Sequence, residues 1–316
     1  MSSTRTNTLV VGWPSFRHGE ATAGDVMSMR VVEGELRRQG MAYSVAWSEV
    51  MIGSETLSVA DTTYGDVEPN RFSHLVFVCG PLSGEPIVAM HARFAHCVRI
   101  AVGVSIVDRK SPAANGFHAV APRDGGEGAP TRDLSSVAPS SSLSVVGVLL
   151  TDGQREYGNK RRHPEVRRTI LDCLDGDGSG FGKRVAVLPL DTRLDPYDWK
   201  SSTSSEQFEA ILRRMDAVLT MRLHGMVLAL RNGVPAVAVD PIAGGAKVSA
   251  QAAAWNWPGV LSPESLSAGA LREMVQWALS KEARECAAAA AAVAAGSEQH
   301  LDSLARMLRE GIEDVG

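Results

Sequence analysis

The chain has 316 residues, 44% of them apolar, enough for about two domains of ~150 residues with buried cores. A net charge of −4 excludes a sequence-independent nucleic-acid surface. No apolar run approaches the ~20 residues of a membrane span, and residues 1–8 lack the apolar core of a signal peptide.

Taken in order, the first half alternates strand and helix patterns. Residues 8–12 read as a strand, 13–23 as a polar loop, 24–39 as a helix stopped by Gly40, and 42–47 as a strand. Residues 48–72 are loop-rich. A strand at 74–79 closes on Gly80-Pro81, a helix follows at 85–96, and 98–107 is a nearly continuous apolar strand of the kind covered on both faces. Residues 108–142 are rich in Pro, Gly and Ser, with one short apolar patch at 117–121, and hold the predicted domain boundary near Pro139.

The second half restarts the same grammar. Strands are predicted at 143–150, 184–190, 216–220 and 235–239. Helices are predicted at 164–174, 205–215, 226–233, 247–254 and 266–279. The alanine-rich stretch 281–295 and the segment 297–312 are also read as helices; the first is best read as a plain helix, with a crossing back to the first domain or pairing with another subunit left open. Each half is therefore predicted as its own α/β domain, 1–140 and 141–316, and two such domains predict a cleft. Ligands of open α/β sheets bind outside the carboxyl ends of the strands.

At one such end Arg222-Leu223-His224-Gly225 leads from strand to helix. Arg222 offers a fixed charge with a donor fork suited to carboxylate or phosphate. His224, two residues on, points to the same side and can move a proton near neutral pH. The helix start adds unpaired N–H groups. Lys247 opens a later helix, where its charge opposes the dipole unless an anion intervenes; a solvated lysine is the plainer reading. Asp25, beside Gly24 at the first helix, is either a cap or a carboxylate facing the cleft, with Arg17, His18 and Glu20 nearby. Arg123-Asp124 reads as a surface turn, and the basic run Lys160-Arg161-Arg162-His163 as a solvated face. The phosphate-binding loops of nucleotide enzymes and the G-x-S-x-G and H-E-x-x-H motifs are absent. The four cysteines, Cys79, Cys97, Cys173 and Cys286, form no C-x-x-C pair and no zinc spacing, so no metal is predicted and a reducing cytoplasm is.

The stretch 216–239, with Lys247-Val248 after it, resembles the polysaccharide pyruvyl transferase family: an Arg222-Leu223-His224 junction, a small-residue helix, Gly233-Val234-Pro235, a strand and a downstream basic residue. Ala23-Gly24-Asp25, Arg123-Asp124 and Arg132-Asp133-Leu134 are similar to its earlier elements. Cys79-Gly80 stands where the family carries a double glycine. The resemblance implies two Rossmann-like domains in a GT-B-like arrangement, the first on the acceptor side and the second on the donor side. It implies phosphoenolpyruvate as co-substrate with no other cofactor, a sugar or glycan hydroxyl pair as acceptor, and a pyruvate ketal plus phosphate as products. By position, Arg222, Leu223, Lys247 and Arg123 would bind the donor, and His224 and Asp25 would be catalytic. Arg17, His18 and Gly24 would lie on the acceptor side. Two alternatives stay open: a GT-B-like glycosyltransferase using a nucleotide sugar, and a non-catalytic anion- or sugar-binding relative.

Overall fold

A computed structural model describes residues 7–16, 21–54, 60–140, 142–153, 155–175, 181, 184–294 and 299–310. Packing divides the chain into two units, Met1–Ser140 and Ser141–Gly316.

The first unit holds a six-stranded sheet of β1 (Asn7–Gly12), β2 (Ala42–Trp47), β3 (Asp61–Thr63), β4 (His74–Val78), β5 (Val98–Ser105) and β6 (Ala119–Asp124). All its pairings are parallel, in the order β3-β2-β1-β4-β5-β6. That is the Rossmann order, whose direction reverses between β1 and β4. Alternate side chains of each strand feed opposite faces. Leu9, Val11, Leu75 and Phe77 pack with Ile87, Met90 and Phe94, while Val10, Val45, Trp47 and Val78 pack with Met29. Of the helices, α1 is Trp13–Phe16, α2 Ala23–Arg38, α3 Glu49–Ser54, α4 Glu85–Arg93 and α5 Pro112–Asn115.

Three loop predictions are corrected here. Residues 13–16 form α1 rather than polar loop, because Trp13 and Phe16 turn onto Phe77. The region 108–142 contains β6, which adds an edge to the sheet, and a 3₁₀ turn at Leu134–Val137. The loop-rich 48–72 also holds a strand. Asp61 of β3 accepts from Trp47 Nε1 at 2.8 Å and from both Arg30 Nη atoms at 3.0 Å, which fastens β3 to β2 and α2.

The second unit holds a five-stranded parallel sheet of β7 (Ser144–Leu149), β8 (Val185–Pro189), β9 (Ala217–Thr220), β10 (Ala236–Val239) and β11 (Val260–Leu261), ordered β11-β10-β9-β7-β8. Counted within the unit this is the other doubly wound order, 2-1-3-4-5, with its switch point between β7 and β9. Its helices are α6 (His163–Asp175), α7 (Ser205–Leu212), α8 (Leu223–Arg231), α9 (Lys247–Ala254), α10 (Ala268–Ala278), α11 (Lys281–Ala294) and α12 (Gln299–Glu310). One face of the sheet packs on Val166 and Ile170 of α6 and Leu271 and Val275 of α10. The other packs on α7, α8 and α9, and α11 closes over α8 with Ala287 buried. Both units are thus α/β with helices on both faces, as the sequence predicts.

Candidate functional site

In the second unit, β9 ends at Thr220 and α8 begins three residues later. The turn is locked locally. Arg222 N–H donates to Thr220 Oγ1 at 2.9 Å, and that hydroxyl donates to Arg222 O at 3.2 Å. Gly225 makes the tight turn possible, since a Cβ there would lie 2.2 Å from Thr220 Oγ1. Arg222 occupies the N-cap position, and among the described residues no side chain caps α8. The first-turn N–H groups therefore keep their capacity to bind an anion.

The Arg222 side chain, 19% exposed, reaches across the switch point. Its Nε donates to Leu150 O, just beyond β7, at 3.3 Å, and its Nη1 donates to Thr192 Oγ1, beyond β8, at 3.3 Å. Asp191 Oδ1 lies 3.4 Å from Nη2, and Asp191 also meets Arg193. His224, the second residue of α8, is exposed. Leu223 packs on the core, so its backbone rather than its side chain faces the site.

Lys247 is the first residue of α9, and its Nζ lies 3.8 Å from Glu156 Oε1. The helix start already has an anion. Asp240, fully buried at the end of β10, accepts from Ala246 N–H at 2.7 Å, Ser249 N–H at 2.9 Å and Ser249 Oγ at 2.8 Å through Oδ2. Its Oδ1 accepts from Ile242 N–H at 3.1 Å. Asp240 thereby fixes both the loop and the point from which Lys247 projects. Sequence reading passed over it; a lone Asp directly after an apolar strand and before a helix was the available signal.

The basic run is not a solvated face throughout. Lys160 is exposed, but Arg161 and Arg162 are half-buried and His163 is buried. The cause is tertiary: Arg161 bridges Ile242 in antiparallel fashion, Arg162 N–H donates to Pro241 O and Ala243 N–H to Lys160 O, both at 2.8 Å. Burial, then the Arg161 charge, pushes the His163 imidazole below its ordinary value, against opposing pulls from Asp152, Asp240 and Glu156.

The remaining predicted residues lie in the first unit. Arg123, at the end of β6, is no surface turn. Its Nε donates to Asp124 Oδ2 at 2.9 Å, its Nη2 to Ser105 Oγ at 2.7 Å, and its Nη1 to Asp133. Two carboxylates therefore already neutralise it, Asp124 first and Asp133 second, and they raise its pKa. A bulge at Gly103, with φ +66°, makes room for Leu134, which brings Asp133 to this cluster. Cys79 also joins it: Arg123 Nη1 and Asp133 Oδ2 each lie 3.8 Å from its Sγ. Its backbone is left-handed, φ 63°, which explains why glycine suits this position.

Asp25 closes a capping box with Thr22: its Oδ2 accepts from Thr22 N–H at 3.0 Å and Thr22 Oγ1 at 2.8 Å. Gly24 is half-buried, with ordinary space for a Cβ. Arg17 and His18 lie outside the described residues. The switch point of this sheet is narrowed by Trp13, whose indole would lie 2.2 Å from a Cβ on Gly80. A cavity of about 600 Å³ in the same unit is walled in part by Phe16, Tyr64 and Arg93, and its described lining includes none of the predicted site residues. Among the described residues no group of three or more His, Cys, Asp or Glu side chains is placed to hold a metal ion, and no helix is long and apolar enough to cross a membrane.

The segment from Leu134 to Pro241, which carries β7 to β10 and the Arg222 junction, matches the family model for polysaccharide pyruvyl transferases. The segment belongs to that family. That match implies a transferase, and the family name points to polysaccharide pyruvylation in general. The match spans about a third of the chain and stops six residues short of Lys247. No curated protein matches the sequence. Solved structures with a similar course include the spinosyn rhamnosyltransferase SpnG, at 11% identity over 90% of this chain and 95% of that one, TM-score 0.32. A kitacinnamycin glycotransferase matches at 12% over 95% and 97%, TM-score 0.35. MurG of Acinetobacter baumannii matches at 11% over 95% and 98%, TM-score 0.33. The strand orders, not these likenesses, define the fold given above.

Proposed function

We propose that the chain transfers pyruvyl from phosphoenolpyruvate to a pair of sugar hydroxyls, forming a ketal and releasing phosphate. The observation that carries the reading is the Arg222 guanidinium, set at the switch point beside an uncapped helix start, within the family-matched segment. In the reaction both hydroxyl oxygens bond to the donor's C2 and the C2–O bond to phosphate breaks. One hydroxyl proton ends on C3, which becomes a methyl, and the other leaves with phosphate. Arg222 and the α8 N–H groups would hold the donor's negative charge, with Lys247 supplying a second cation. His224, exposed in the first turn of α8, would deliver or accept the proton. Asp25 and Arg123 are engaged in contacts of their own and are given no step.

Release of phosphate from phosphoenolpyruvate, followed with a panel of glycan acceptors, tests the reading. Arg222→Ala should abolish donor binding. His224→Ala should lower turnover about 10²-fold or more while leaving donor binding in place. A thermal shift with a nucleoside diphosphate and none with phosphoenolpyruvate would overturn the proposal in favour of a nucleotide-sugar donor.

A further inference from the structure

Arg161 stands out among the cations of the second unit. Its Nη2 donates to Asp152 O at 2.8 Å, while its Nε is sealed from solvent and has no hydrogen-bond partner among the described residues. Among the described residues Arg161 forms no ion pair. The neighbouring acids are committed elsewhere: Asp152 meets Arg167 at 3.8 Å, Glu156 meets Lys247 at 3.8 Å, and Asp240 serves the α9 loop. Leaving a half-buried guanidinium so poorly matched is unfavourable, and an anionic ligand would relieve the mismatch.

Its position says which ligand. Arg161 leans on Asp152 O and Arg222 on Leu150 O. These carbonyls lie two residues apart on the segment leaving β7, hence within about 7 Å of one another. Two guanidinium groups are thus tied to one short stretch at the carboxyl end of the strand beside the switch point. The backbone bridge from Arg161 to Ile242 and the Asp240-held loop keep the first of them in place.

We infer that Arg161 is a second anion-binding arginine, paired with Arg222, and that together they select a small ligand acidic at both ends, one end to each guanidinium. The inference rests on the proposed donor and extends it. Phosphate and carboxylate are the two ends of phosphoenolpyruvate, and a ligand with one acidic end would engage one arginine only.

Calorimetric titration with phosphoenolpyruvate, inorganic phosphate and pyruvate tests this on the full chain, its Arg161→Gln and Arg161→Lys variants, and Arg222→Gln. Arg161→Gln should weaken phosphoenolpyruvate about tenfold or more, with Arg161→Lys recovering part of the loss. It should also weaken one of the two half-ligands, and Arg222→Gln should weaken the other. The melting temperature of Arg161→Gln should equal or exceed that of the parent, whereas an arginine serving the fold alone would lower it. Parent-like binding of all three probes by Arg161→Gln overturns the inference and leaves the proposed donor standing. No binding of phosphoenolpyruvate by the parent chain overturns both.

Discussion

At the scale of the residue, the two units treat their arginines in opposite ways. Arg123 is matched by two carboxylates, whereas Arg222 rests on neutral oxygens and one shared, longer carboxylate contact. The matched arginine is a structural clasp, and its acids are where pH is felt. The Ser135 hydroxyl and then Arg123 hold Asp133 at about 2, and Arg123 holds Asp124 low as well. A carboxyl with a lower pKa in the folded chain stabilises the fold at every pH above its unfolded value, near 3.9. That stabilisation drains as the pH falls from about 4 towards about 2. Denaturant midpoints measured between pH 5 and pH 2 should show the loss, and Asp133→Asn should flatten the difference over that interval. A variant with the parent's slope would show that this clasp carries no acid sensitivity.

At the scale of the element, most strands that sequence reading found have apolar faces to bury, β8 being found from its apolar residues although it is a largely exposed edge, and the ones it passed over are all edges. β3, β6 and β11 each end a sheet, bury little and run two to six residues. β6 even contains Pro122, which an edge strand tolerates and a central one does not. The site divides along the same line. Arg222 and His224 are legible because the strand-to-helix junction is local. Arg161 is not, because its orientation depends on a bridge between segments some eighty residues apart; the contacts of Asp240 are local, within nine residues, and its place directly after an apolar strand was the signal. Gly225 is legible only as part of a motif, and the structure supplies its physical reason. Gly225→Ala should push the first turn of α8 away from Thr220, costing about 1–3 kcal/mol of stability. It should weaken phosphoenolpyruvate binding even though no ligand-facing side chain is lost. Unchanged melting and unchanged affinity would mean that the turn relaxes freely and that its geometry does not set the site.

At the scale of the whole molecule, each unit has its own doubly wound sheet and its own pair of apolar layers, one on each face. Chains of this kind fold unit by unit, and their unfolding need not be two-state. The residues proposed to hold the donor, Arg161, Arg222 and Lys247, all belong to the second unit, and their supports Asp240, Thr192 and Leu150 do too. Their preorganisation should therefore survive removal of the first unit. Expressed alone, residues 141–316 should fold, as judged by a cooperative thermal transition, and should bind phosphoenolpyruvate within about tenfold of the full chain. Turnover should vanish, because the first unit is expected to carry the acceptor. If the isolated unit folds but loses the donor altogether, residues 1–140 help to hold it, and Arg123, which the family resemblance implies for that role, is the first candidate although two carboxylates already occupy it. An Arg123→Lys substitution in the full chain separates these cases. It leaves donor affinity alone if Arg123 is only the clasp described above, and lowers it if the arginine is exchanged between the two roles.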